Sequence, residues 1–311
     1  EYDQISLQVF DPSSDLYSFN PDFIIIFKSS HKLLQNYDSN SLKNQSAFAM
    51  NQIEEIKNIY LTLSNHSNSK IILYNYTEIN DSIFGNFSNK VEWSFLFQQR
   101  KLNYLLMELA INLPNLHICD LSSIQNKTGK DFLFHTSSYV NNSMVLSLDV
   151  LPIVAKYTLD IIRSLNGLFN KCIILDLDNT TWGGIIGDDG IEKIQIGSLG
   201  IGKAFTEFQS WVKKLKNRGV ILAVCSKNKE SVAQEPFINH PDMILKMEDI
   251  SVFVANWENK ADNIRHIQNI LNISFDSMVF IDDNPFERNI VRENLPEVCV
   301  PEMPEDPADY L

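Results

Sequence analysis

The sequence has no surplus of base, no long apolar run and no paired cysteines, and each absence removes a class of function. Against 39 Asp and Glu stand 26 Lys and Arg, a net charge of -13. No basic cluster offsets that charge locally, so the chain repels nucleic-acid backbones and anionic lipid, and no nucleic-acid partner is expected. An anionic small substrate would need a local remedy, such as a metal ion. No apolar stretch approaches the ~20 residues a membrane helix requires, so no membrane is expected either. The four cysteines, Cys119, Cys172, Cys225 and Cys299, lie far apart, in or beside apolar runs and not at metal-binding spacing. They predict reduced core thiols in a cytoplasmic protein. What remains is a globular composition, 44% hydrophobic and 21% charged, in 311 residues that offer room for two ordinary domains.

There is no initiator Met and no charged-then-apolar leader, and the last residues read PEMPEDPADYL, so a piece of a longer polypeptide is expected. Asn-x-Ser/Thr sequons are frequent, but one of them, Asn179-Thr180-Thr181, falls inside the most chemically loaded motif, and they read as by-products of an Asn-rich composition.

Strand-like and helix-like patterns alternate, with no internal repeat or low-complexity linker, which predicts an α/β layer fold. In the first half DFIIIF, KIILYNY and LHICDL read as strands. Helical spacing carries Ile53, Ile56, Tyr60 and Leu63, then Leu102, Leu105, Leu109 and Leu113 before Pro114, then a third helix from near Pro152 to Gly167. A second series opens at Lys171 with strands CIILDL, VILAVCS and SMVFIDD. Its helices carry Phe205, Phe208, Val212 and Leu215 up to Gly219, and begin again near Ala261. The division is placed near Asn166 to Asn170, giving domains 1–168 and 169–311.

The three strands of the second half end in Asp176, Ser226 and Asp282. In open parallel sheets ligands bind outside the carboxyl ends of the strands, so polar residues arriving there together mark a site. In DLDNT, Asp176 and Asp178 flank one residue where the chain turns, and the two can converge on one atom. A carboxylate can attack phosphorus while a second protonates the leaving group and then activates water. Asp282, Asp283 and Glu287 in IDDNPFER are acids that repel one another unless a cation relieves them, and oxygen ligands suit Mg²⁺. Ser226, followed by Lys227 and Asn228, is suited to a phosphate oxygen, and Lys260 opens a helix where its ammonium can neutralise a phosphoryl group. Alone, each has an ordinary structural use: turn caps for the acids, a helix cap for Ser226, a solvated surface for Lys260.

The order Asp-x-Asp-x-Thr, strand-end Ser, helix-start Lys, Asp-Asp resembles the haloacid dehalogenase superfamily. Within it LDLDNTTWGGIIGDDG, ANWENKADNI and FIDDNPFERNIVR resemble the FkbH-like branch, from Lys171 onward. The resemblance implies a Rossmann-like parallel sheet and a Mg²⁺-dependent phosphatase or phosphotransferase working through an aspartyl-phosphate. It makes Asp176 nucleophile and metal ligand, and Asp178 the acid/base that also offers its carbonyl to the metal. Ser226, Lys227 and Lys260, with Asn179 and Thr180 from the loop, would serve the phosphoryl group. Between Asp282 and Asp283 the strand-end comparison ranks Asp283 first on the metal, with Asp282 in the place of a more usual glycine and Glu287 behind them. Members that transfer and then hydrolyse phosphate keep a carboxylate where Asp178 stands. Thr181 replaces a usual Leu, and Asn259 a usual Pro.

The short insert WGGIIGDDGIEKIQIGSLG implies a flap without a cap domain, open to a phosphorylated small molecule or a carrier-protein adduct. The first half resembles the domain that precedes the phosphatase-like one in FkbH-like proteins, and loosely an SGNH-hydrolase layout, with a docking or covering role expected. Asp131 and His135 sit roughly where an Asp-x-x-His dyad would, one residue off, with no Gly-Asp-Ser, so His135 is expected to be a satisfied, partly buried histidine. Two alternatives accompany the phosphatase reading. One is the branch's glyceryl transfer to an acyl carrier protein, for which Cys172 and Cys225 are the nearest thiols; the other is a non-catalytic scaffold for a C-terminal acetyltransferase-like domain.

Overall fold

The structure, a computed structural model, describes residues 4–79 and 81–311. Two compact units divide the chain, Glu1–Gly167 and Leu168–Leu311.

In the first unit, strands β1 (Phe23–Ile26), β2 (Lys70–Tyr74) and β3 (Leu116–Cys119) form a parallel sheet in the order β1-β2-β3 among the described residues. Alternate residues of β2 serve opposite faces: Ile71 and Leu73 join one core cluster, Ile72 and Tyr74 another. The first cluster takes in Ile53, Ile56, Tyr60 and Leu63 of the helix Phe48–His66 and Leu102 and Leu106 of the helix Phe95–Asn112. The second takes in Val154 of the helix Leu151–Leu165. Covering both faces is what parallel strands as apolar as these require.

In the second unit, β4 (Cys172–Leu175), β5 (Ile221–Ser226), β6 (Ile250–Ala255) and β7 (Met278–Ile281) form a parallel sheet ordered β6-β5-β4-β7. The fold is thus α/β and Rossmann-like. All four residues of β4 are buried, Ile173 and Leu175 toward one core and Cys172 and Ile174 toward the other. The helix Gly200–Asn217 ends as its sequence predicts. Gly219, at φ +100°, lets its N–H donate to Lys216 and that of Val220 to Leu215, satisfying carbonyls of the last turn.

Strand β6 was not expected. ISVFVA shows no clean alternation and opens directly out of the 3-10 turn Met247–Asp249, and its pairing with β5 slips between Leu222 and Ala223, so that Ile250 packs toward one core and Val252 and Val254 toward the other. Two expected burials are also corrected. His135 is exposed, with its ring nitrogen shared by the Ser137 and Ser138 hydroxyls and no bond to Asp131. Cys299 is exposed, because it lies in a single bridge beside Val279 instead of within a strand; the other three cysteines are buried.

Candidate active site

Asp176 leaves β4 with its N–H still in the ladder, donating to Ile281 at 2.9 Å, and then the chain turns sharply. Thr180, Thr181 and Trp182 all donate backbone N–H to the Leu177 carbonyl, and the Thr181 hydroxyl donates to the Asp176 carbonyl at 2.6 Å. The Thr that replaces a Leu therefore closes the loop behind Asp176. Asn179 takes the left-handed conformation, φ +55°, that such a turn needs. Its side chain accepts from Gly184 N–H at 2.9 Å and its carbonyl from the Tyr310 hydroxyl at 3.1 Å, so it braces the loop at the cleft edge.

Because β4 lies between β5 and β7, the ends of three strands meet. The ammonium of Lys260 is 2.9 Å from Asp176 Oδ1 and 2.5 Å from Asp282 Oδ2. It arrives at the first position of the helix Lys260–Leu271, whose cap Asn259 accepts from Ala261 N–H at 2.8 Å. Burial disfavours the charge on Lys260, but the carboxylates of Asp176 and Asp282 outweigh it and hold the group protonated. Asp282 and Asp283 are raised, first by burial and then by the charge of Asp176, with Lys260 pulling the other way.

Oxygens of Asp176, Asp282 and Asp283 all lie within 4.8 Å of one another. Three carboxylates around one ammonium leave negative charge uncompensated, and oxygen-only donors fit a hard divalent cation. The three are not equivalent. Asp282 is fully buried, with Oδ2 on Lys260 and Oδ1 accepting from Asn284 N–H at 2.8 Å. Asp283 lines the cleft; its Oδ1 accepts from the Thr180 hydroxyl at 3.1 Å, and its N–H donates back to that hydroxyl at 2.9 Å. Thr180 is thus buried under Asp283 and does not line the cleft.

The cleft, of about 520 Å³, is walled by Asp176, Asp178, Ser226, Lys227, Lys260 and Asp283. Asp178 accepts three hydrogen bonds: from Trp182 Nε1 at 2.9 Å and Ile186 N–H at 3.0 Å on Oδ1, and from Asn228 Nδ2 at 2.8 Å on Oδ2. Asn228 also reaches the Ser226 hydroxyl at 3.3 Å. Lys227 pairs with Glu287 at 2.6 Å. The insert after Trp182 is closed by the antiparallel bridge Gly183 to Gln195 and holds one turn of helix, Ile186–Asp189. A Cβ on Gly183 would come within 2.7 Å of the Gln195 side chain and 2.8 Å of the Phe205 ring, so any larger residue at the flap's root would have to displace both.

Sequence reasoning gave no role to Asn228, Trp182 or Arg288. Asn228 stands two residues past Ser226 at a strand end, a usable signal. Trp182 and Arg288 gave none, since Arg288 acts by donating to the carbonyls of Asp282 and Asp283, at 2.8 and 2.6 Å, from within a helix. Cys172 and Cys225, the thiols considered for acyl transfer, are fully buried inside strands and absent from the cleft wall, and burial pushes both up to about 12. Neither is placed to carry an acyl group.

No curated protein matches the chain. Among solved structures it is similar to the N-terminal part of the protein BF1531 from Bacteroides fragilis, which contains a phosphatase domain complexed with Mg. The two are 56% identical, with a TM-score of 0.94 over 100% of this chain and 82% of that one. Residues 1–163 match the model for the FkbH N-terminal domain. The match over the first half and the likeness over the whole place the chain in the FkbH family.

Proposed function

We propose that the chain is a Mg²⁺-dependent phosphohydrolase of the haloacid dehalogenase type, acting through an aspartyl-phosphate on a phosphorylated metabolite or a carrier-linked group. The observation that carries this reading is the placement of the Lys260 ammonium 2.9 Å from Asp176 Oδ1, with Asp176, Asp178, Ser226 and Lys260 together on the wall of one cleft. Mg in the similar Bacteroides fragilis structure supports the choice of ion.

In this reading Asp176 Oδ2 attacks phosphorus and the bond from phosphorus to the leaving oxygen breaks. Asp178 delivers a proton to that oxygen, then takes one from the water that attacks the aspartyl-phosphate, releasing phosphate and restoring Asp176. Ser226 Oγ and the remaining N–H of Lys260 donate to the transferred group. Lys227 stands at the wall with its ammonium held by Glu287. Mg²⁺, held by Asp176, Asp283 and the Asp178 carbonyl, would supply neutralisation of the phosphoryl charge. Asp283 ranks above Asp282 because both oxygens of Asp282 are already engaged. Residues 1–168 keep a docking or covering role in this reading, consistent with an exposed His135 that has no carboxylate partner.

The test is phosphate release from p-nitrophenyl phosphate and from a panel of phosphorylated metabolites, with and without an acyl carrier protein. Activity should vanish with a chelator and return with Mg²⁺. Asp176→Asn should abolish it; residual turnover within about tenfold of the unaltered chain, ~1.4 kcal/mol in the barrier, removes Asp176 from the nucleophile role.

A further inference from the structure

The cleft of the second unit is lined by more than the reacting groups: Ile185, Asp188, Lys229 and Trp257 belong to it as well. The sheet order β6-β5-β4-β7 sets Asp283, beyond β7, and Trp257, two residues beyond the end of β6, toward opposite ends of that cleft, with Asp176 and Ser226 between them. One end is therefore acidic and the other aromatic.

Trp257 is 76% exposed. Among the described residues its indole N–H has no hydrogen-bond partner, and its ring meets no other ring and no cation. Ile185, from the flap, is 44% exposed on the same cleft. The polar side chains nearby are engaged within the protein: Lys227 with Glu287, Asn228 with Asp178, Asn179 with Gly184 N–H and Asn284 with Phe286 N–H. Asp188 and Lys229 are exposed and opposite in sign, so together they select no charge.

A single exposed aromatic residue on a loose loop would carry no meaning. This one is held. Asn256 N–H donates to the Ser226 carbonyl at 3.1 Å, Asn256 and Asn263 exchange amide hydrogen bonds at 3.1 and 2.8 Å, and Glu258 N–H donates to Asn256 Oδ1 at 3.0 Å. The backbone on both sides of Trp257 is thus fixed before any ligand arrives, which spares the cost of ordering it on binding. The bond to Ser226 also ties the loop to the strand end that serves the phosphoryl group.

We infer that Trp257, with Ile185, determines specificity for the leaving group, and that the substrate is a phosphate monoester whose leaving alcohol carries a flat ring. This rests on the phosphohydrolase reading above. A ring laid against the indole gains from stacked or edge-on contact beyond the area it covers, whereas the hydroxyls of a short polyol find no partner on Trp257 or Ile185. The contact is made to the alcohol and not to the phosphoryl group. It is lost when the alcohol departs with the proton from Asp178, and the hydrolysis of the aspartyl-phosphate proceeds without it.

The test compares two esters of primary alcohols, benzyl phosphate and glycerol 1-phosphate, with the full chain and Mg²⁺. Benzyl phosphate should have a kcat/KM at least about tenfold higher. Trp257→Ala should lower that preference about fivefold to tenfold, chiefly by raising KM for benzyl phosphate, and Trp257→Phe should keep most of it. In Asp176→Asn, which turns nothing over, the indole N–H resonance that Trp257→Phe removes should shift with benzyl phosphate and not with glycerol 1-phosphate. Hydrolysis of neither ester nor of any other phosphate ester would overturn the phosphohydrolase reading and this inference with it. Hydrolysis without preference for the benzyl ester, or an equal loss on both esters in Trp257→Ala, would overturn this inference alone.

Discussion

Lys260 holds Asp176 and Asp282 with a single ammonium, 2.9 Å from one carboxylate and 2.5 Å from the other, and is itself 3% exposed. Replacing it removes the cation and leaves two buried acids facing each other. Lys260→Met should lower unfolding stability by about 3–5 kcal/mol in urea titration, and should lose phosphate release as well. Asp282→Asn added to it should recover part of the stability and none of the activity. A stable single variant would mean that the carboxylates are relieved by something other than Lys260.

Thr180 both gives a hydrogen bond to Asp283 and takes one from it. Thr180→Val keeps the shape and removes both, so Asp283 should lose its orientation. The Mg²⁺ concentration giving half-maximal activity should rise by about 10–100-fold, and Thr180→Ser should restore it. An unchanged Mg²⁺ dependence in the Val variant would detach Thr180 from the metal site.

Asp249 ties the helix Gly200–Asn217 to the start of β6. It accepts from Lys213 on both oxygens at 2.5 Å, from Lys246 N–H at 2.9 Å, and pairs with Lys216 at 3.2 Å. Burial raises this carboxyl, but the lysine and backbone donors outweigh it and hold it below the usual carboxylate value. A pKa lower in the folded chain than in the unfolded one contributes stability above the unfolded value and loses it as pH falls through the folded one. Asp249→Asn should therefore cost about 2 kcal/mol at neutral pH, since the lysines stay partly exposed, with the gap to the parent narrowing in acid. Parallel stability curves over the whole acid range would count against an ionised Asp249.

Thiol labelling separates the cysteines. Cys299 is exposed, whereas Cys119, Cys172 and Cys225 are buried, and burial raises all three of those thiols. Native protein should react quickly with a disulfide reagent at Cys299 alone, and unfolded protein at all four. Rapid native labelling of Cys225 would show that the strand ending in Ser226 opens.

The chain's local pattern was enough to determine a good deal. Apolar runs bounded by Asp176, Ser226 and Asp282 read as strands because a buried parallel strand needs no alternation. Gly219 stops a helix because its φ is open to glycine alone among common residues. Lys260 at a helix start was legible from the spacing around it. Tertiary structure decided what depends on contacts between distant segments. Setting β4 between β5 and β7 brings Lys260 to Asp176 across 84 positions of sequence, and no local period encodes strand order. Whether Asp282 or Asp283 faces the cleft turned on Lys260 and Thr180 claiming different oxygens. The exposure of Cys299 and His135 has the same origin: burial is a property of what packs over a residue, and the residue's own neighbours in sequence do not specify it.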